Sequence, residues 1–229
     1  MRAIRLWWTL GALAAFLLSV PAHADLVLSE LIVELQPGKV MRDDVEVWNN
    51  SPERSYVSIE PREVLDAALP SQRDRKDPDP EKLGLLVEPA RMILEPGQRR
   101  LIRIAAISPI SDREHVYRVT IKPVLGAIHS QDSGLKVLVG YDVLVLVRPS
   151  VPEAHVTAAR IGRKLTFSNS GNVSVEIVDG RQCTARTEKC AELPGKRLYP
   201  SASWTVDLPS DLPVEYTLKS PGRSEHGSY

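Results

Sequence analysis

The sequence has no surplus of either charge: 29 Lys and Arg residues stand against 29 Asp and Glu. Nucleic-acid binders usually carry a concentrated basic excess, so this balance gives no electrostatic ground for such a partner. No helical period is sustained after the first segment, and eighteen prolines and thirteen glycines punctuate the 229 residues. That spacing excludes long helices and suits many short strands between turns. Histidines number five, and none stands in a His-Glu-x-x-His or Gly-x-Ser-x-Gly setting. Asp112, Glu114 and Asp142 read as ordinary strand or turn carboxylates, so the chain is not read as an enzyme.

Cysteine is nearly missing. Cys183 and Cys190 lie close together in the C-terminal part, with no histidine near them in sequence. A structural zinc usually takes four ligands, so the pair is read as a disulfide stapling a short loop in an oxidising compartment. Long apolar runs are equally scarce. Residues 6–20 form one, behind Arg2 and Arg5 and ahead of Ala22-His23-Ala24. A basic start, an apolar run and a small-x-small site predict a signal peptide over residues 1–24 and an exported protein beginning at Asp25. Beyond Ala24 no stretch approaches the ~18 apolar residues that span a bilayer, so the mature chain is expected not to be membrane-embedded.

What is present is a core's worth of apolar residues, 43% of the chain, arranged as strand after strand. Val45 and Val47 alternate with Glu46 and run into the turn Asn49-Asn50-Ser51-Pro52. An extended stretch over residues 56–59 is expected to close at Pro61, and residues 66–82, charged and proline-bearing, read as an exposed loop. Glu95-Pro96-Gly97 sets a tight turn before a strand over residues 100–104, with Ile102 and Ile104 on one face. Tyr117, Val119 and Ile121 alternate with Arg118, Thr120 and Lys122. After a polar loop over residues 126–134, the last strand of this half is expected over residues 135–147.

Residues 149–152, bounded by prolines, form a stiff junction where a domain boundary is placed, between residues 25–149 and 150–229. Short strands resume over residues 164–167, 173–178, 204–208 and 214–218, separated by turns that include residues 169–172 and Asp179-Gly180. The expected fold is all-β, with two β-sandwich domains.

Several motifs resemble the periplasmic pilus chaperones of the PapD type. They are Val45-Glu46-Val47-Trp48-Asn49-Asn50, Val87-Glu88-Pro89, Ile93-Leu94-Glu95-Pro96-Gly97-Gln98, the stretch from Asp112 through Val119, and Leu146-Val147-Arg148-Pro149. They fall in the family's order across the first half; the second half is more loosely similar. The resemblance implies two immunoglobulin-like sandwiches in an L- or boomerang-shaped arrangement and no cofactor. It also implies a function: binding pilus or fimbrial subunits that lack a strand, and delivering them to an outer-membrane usher. The chaperone lends its last N-domain strand to the open edge of its client. Leu135, Val137 and Val139 alternate at the donor positions and would face the client's groove. The client-free protein either stays single or caps that strand by self-association.

The resemblance also implies that Arg148 pairs with Glu114, and with a carboxylate of the second domain, to set the domain angle. Asp207 and Asp211 are the candidate third partners. One departure stands out. The two positions at which the family grips its client's terminal carboxylate with an Arg and a Lys hold Ile32 and Leu144 here. Arg118 and Lys122, on one strand face, are the substitute anchor. The alternative function is a periplasmic immunoglobulin-like binding or structural module that donates no strand.

Overall fold

The computed structural model describes residues 25–124, 138–183 and 190–229. In the first half lie β1 (Leu26–Leu28), β2 (Ile32–Leu35), β3 (Arg42–Asn49), β4 (Ser55–Leu65), β5 (Arg73–Arg75), the single helical turn α1 (Pro80–Leu83), β6 (Leu85–Glu88), β7 (Arg91–Leu94), β8 (Arg99–Ala106), β9 (His115–Val124) and β10 (Tyr141–Val147). The second half holds β11 (Val156–Ile161), β12 (Lys164–Asn169), β13 (Val175–Cys183), β14 (Cys190–Leu193), β15 (Lys196–Leu198), β16 (Ser203–Asp207), β17 (Glu215–Ser220) and β18 (Arg223–Ser228).

These strands make two immunoglobulin-like sandwiches. In the first, a four-stranded sheet ordered β1-β3-β8-β6 faces a six-stranded sheet ordered β2-β10-β9-β4-β5, with β7 also on β4. In the second, β11-β12-β16 faces β14-β13-β17-β18, with β15 also on β13. Alternation explains the layering: Val45 and Val47 of β3, Ile102 and Ile104 of β8, and Val119 and Ile121 of β9 all point into one core. Leu165, Phe167, Ile177, Val206 and Tyr216 fill the other.

β10 departs from alternation, because Val143 through Val147 are all buried. Val143, Val145 and Val147 enter the sandwich core, while Leu144 and Leu146 join Val116 in a cluster on the opposite face. Val64, Ala67 and Tyr199 pack on that cluster, and Tyr199 belongs to the second half. A strand covered on both faces loses its polar positions.

Three expectations fail here. Pro61 does not close its strand; β4 runs on to Leu65, with Pro61 opposite Val119. On its other edge β4 meets β7 through Ser58 and β5 from Glu63, and the Ile59 N–H points that way, to the Ala90 carbonyl. Pro61, two residues on, faces the gap between those partners, where no donor is needed. Residues 66–82 are not simply a loop, since they contain β5 and the first three residues of α1. Asp79 caps α1 by accepting from the Glu81 N–H, Pro80 starts it, and Gly84 ends it at φ +89°. Lastly, Asp179-Gly180 does not separate strands: it lies within β13 at a register shift between Val178 and Arg181. Asp179 takes φ +54° there, as a bulge residue does.

Candidate functional site

The outward face of the six-stranded sheet collects the polar residues of β4, β9 and β10. Cross-strand register places Ile32, Leu144, Arg118 and Arg62 in one row, and Asp142, Thr120 and Glu60 in the next. Arg62 grips Asp142 with both terminal nitrogens, at 2.9 and 2.8 Å. Its Nη1 also donates to Thr120 Oγ1 at 2.8 Å, and its Nε lies 2.9 Å from Asp74 Oδ2. Thr120 in turn donates to Asp142 Oδ1 at 2.9 Å. Burial works against the Asp142 charge, but the bonds from Arg62 and Thr120 outweigh it and hold the carboxyl below its usual range.

The substitute anchor residues sit on this face with Thr120 between them. Arg118 donates to the Asp142 backbone carbonyl at 3.2 Å, and its Nε stands 3.9 Å from Asp142 Oδ2. Lys122 is 3.0 Å from Glu60 Oε1, which also accepts from Ser58 Oγ at 3.0 Å. These two donors keep Glu60 below its usual range. Arg62, the best-connected cation here, was not legible in the sequence because a strand thought to end at Pro61 never reaches it. Ile32 and Leu144 are neighbours across the parallel β2–β10 pair, but they differ: Ile32 is 43% exposed and Leu144 only 4%. Leu144 lies in the apolar cluster on which Tyr199 packs.

Leu135 and Val137 lie outside the described residues. Val139 is 60% exposed, and residues 138–140 carry no strand pairing, so the strand expected from residue 135 begins at Tyr141 among the described residues. Gly140 lies so close to β9 that an added Cβ would meet the Lys122 Cβ at 2.9 Å. From Tyr141 onward β10 pairs with β9, whereas β2 covers its other edge only from Leu144. Among the described residues the other edge of β10 at Tyr141, Asp142 and Val143 therefore has no strand partner.

At the far end of β10, Arg148 is buried and bonds Glu114 Oε2 through Nη1. Its Nη2 reaches Glu34 Oε1 at 2.7 Å. The third carboxylate is therefore Glu34 of β2, within the first half, and not Asp207 or Asp211. Asp207 is an exposed partner of Lys164 on β12, at 2.9 Å. The second half contributes Ser174, whose N–H and Oγ bond Glu114 Oε2 at 3.1 and 3.2 Å. Cys183 and Cys190 are bonded to each other across β13 and β14, with Cα atoms 4.0 Å apart. Among the described residues no cluster of histidine, cysteine or carboxylate is placed to hold a metal ion, and no helix is long and apolar enough to cross a membrane.

No family model matches the chain. A curated relative from Escherichia coli, named as a CS1 fimbrial subunit, is 26% identical over 206 residues, covering 84% of this chain and 85% of its own. The crystal structure of the class 5 fimbriae chaperone CfaA superposes with a TM-score of 0.64 at 22% identity, covering 89% of this chain and 98% of that one. A chain of the Salmonella enterica SafA pilin–SafB chaperone complex superposes with a TM-score of 0.64 at 18% identity, covering 92% and 99%. This chain thus has the two-domain fold of the fimbrial chaperones, carried by a divergent sequence.

Proposed function

We propose that this protein is a periplasmic chaperone of fimbrial subunits, exported by cleavage after Ala24, that uses strand donation to hold each client and passes it to an outer-membrane usher. The observation that carries the reading is the uncovered edge of β10 at Tyr141, Asp142 and Val143. A strand edge that no neighbouring strand covers is a template for a further strand, which would take the Asp142 carbonyl over from Arg118. In this reading Leu135, Val137 and Val139 enter the client's groove, at roughly 1.5–3 kcal/mol for each side chain fully buried, before ordering costs. The client edge is then satisfied by backbone pairing, and no cofactor or catalysis is needed.

Of the two substitute anchors, Arg118 suits a client's terminal carboxylate better. It is the cross-strand neighbour of Leu144 and stands 3.9 Å from the Asp142 carboxylate, its bonds going to the Asp142 carbonyl and to Tyr199, whereas Lys122 is closely paired with the Glu60 carboxylate. The test is co-purification of a fimbrial subunit from periplasm. Val137→Asp should abolish capture while the free protein keeps its melting temperature; Lys136→Asp, on the opposite face, should matter less; Arg118→Ala should weaken capture. A Val137→Asp variant that unfolds, or that captures normally, would overturn strand donation.

A further inference from the structure

The two sandwiches meet through contacts of unequal directionality. Tyr199 packs on the apolar cluster of the first and accepts a hydrogen bond from Arg118, while Leu69, from the turn after β4, packs on the core of the second. At the exposed rim the long Arg113 side chain donates from Nη2 to Ser201 Oγ at 2.5 Å. Apolar burial holds surfaces together but does not choose an angle between them. The buried ion pair is directional, yet Arg148, Glu114 and Glu34 all belong to the first sandwich, and only Ser174 joins them from the second. Glu114 Oε1 and Arg148 Nε are buried without a hydrogen-bond partner among the described residues.

Asn172, in the turn between β12 and β13, is different. Its Nδ2 donates to the Asp112 carbonyl ahead of β9 and to the Val151 carbonyl of the linker, both at 2.9 Å. Its Oδ1 accepts from the Glu153 N–H at 2.7 Å. The Asn172 backbone N–H donates to the Glu153 carbonyl at 2.9 Å, and its carbonyl accepts from the Glu114 N–H at 3.0 Å. Every donor and acceptor that side chain and backbone direct at the junction is engaged, across first sandwich, linker and second sandwich. The partners also fix the amide's orientation: two carbonyls need two donors and one N–H needs an acceptor, which only a primary amide provides from one side chain. Beside it the turn is pressed onto the linker, since a Cβ on Gly171 would lie 2.2 Å from the Glu153 carbonyl oxygen.

We infer that Asn172 is the positioning residue that fixes the angle between the two domains, as an uncharged clasp beside the ion pair. Being half-buried in a turn, it can be cut without opening either core.

The test measures residual dipolar couplings of the full chain. In the unaltered protein one alignment tensor should describe both domains. In Asn172→Ala the common tensor should be lost and each domain should need its own, with amide shifts inside both sandwiches unchanged away from the turn. Should Asn172→Ala not fold, Asn172→Asp carries the same test, because it keeps the shape and the Oδ1 acceptor but loses both donations. One tensor persisting in the folded variant would overturn the inference, as would coupling that survives Asn172→Ala but is lost in Ser174→Ala. Whether Asn172→Ala still captures a fimbrial client is a separate readout that rests on the proposed function. Normal capture with uncoupled domains would count against the importance of the angle and leave the clasp standing.

Discussion

The two sandwiches share one device and differ in almost everything else. Asn49 at the end of β3 and Asn169 at the end of β12 are both buried, and each amide latches a turn. Asn49 donates to the Glu53 and Leu94 carbonyls and accepts from the Ser51 N–H. Asn169 donates to the Val173 and Leu198 carbonyls and accepts from the Gly171 N–H. Beyond that the first sandwich is aliphatic inside and ionic outside, with a last strand left open on one edge. The second is small and aromatic: Tyr216 and Tyr229 meet Phe167 edge-on, at 5.3 and 5.2 Å between ring centres, and Trp204 lies 6.0 Å away, nearly parallel to it. A small domain buries a lower fraction of its surface, so large rings and a disulfide compensate for what its size withholds. The larger domain has enough core to leave an edge unpaired.

That contrast breaks most sharply at Phe167. Truncating a fully buried aromatic removes about 3–5 kcal/mol, and here the three rings around it lose their common neighbour. Phe167→Ala should melt the second sandwich well before the first. Trp48 and Trp204 lie one in each sandwich and are the tryptophans that remain beyond residue 24. Single-tryptophan versions, made with Trp204→Phe or Trp48→Phe, follow the two by fluorescence. Two transitions support the contrast; one shared transition at lower temperature means that the domains fold as a unit.

The latches sharpen the comparison at smaller cost. Asn49→Ala and Asn169→Ala each leave carbonyls and an N–H without their amide partner, worth about 1–3 kcal/mol for a buried group left unsatisfied. Each should lower only the transition of its own sandwich. Equal falls would mean that the shared geometry contributes equally despite the different cores. A larger fall for Asn169 would mean that the small domain depends more on its latch.

The latches were also the most legible part of the chain. Asn-Asn-Ser-Pro or Asn-Ser-Gly, after alternating apolar residues, is a turn signal with a mechanism, and both turns fall where that signal stands. Alternation likewise located β3, β8 and β9. Arg62 and β5 stayed hidden because a proline in a strand reads as an end unless one knows which edge is unpaired, and that depends on partners far along the chain. The burial of Leu144 was invisible for a similar reason: what covers it includes Tyr199 of the other domain. Glu34, the third member of the ion pair, carries no local signal, since its role arises from β2 lying parallel beside β10.

Acid gives the smallest and most selective effect. Asp44, Glu60, Glu63 and Asp142, all in the first sandwich, are held below their usual carboxylate range: Asp44 chiefly by its bond from Arg103, and Glu60 chiefly by Lys122. Glu63, 3% exposed, is opposed by burial yet kept ionised by His115 Nδ1 at 2.8 Å and Arg75 Nε at 2.7 Å. A carboxyl whose pKa falls on folding stabilises the native state above its unfolded value, and that contribution is lost as pH drops through the folded value. Glu30 acts in the opposite sense, because burial, with Asp43 nearby, raises it, and acid relieves the strain on its charge. With four groups against one, the first sandwich should weaken once pH falls below about 4.5, near the ordinary carboxylate range, while its partner changes less. The Trp48 transition should therefore shift down with acid more than the Trp204 transition. Glu63→Gln should flatten that dependence and lower stability at neutral pH, because Arg75 and His115 would lose their anionic partner. Parallel acid shifts of both transitions would show that the ion pairs on the outer sheet face and around Glu63 contribute nothing particular to the domain that carries them.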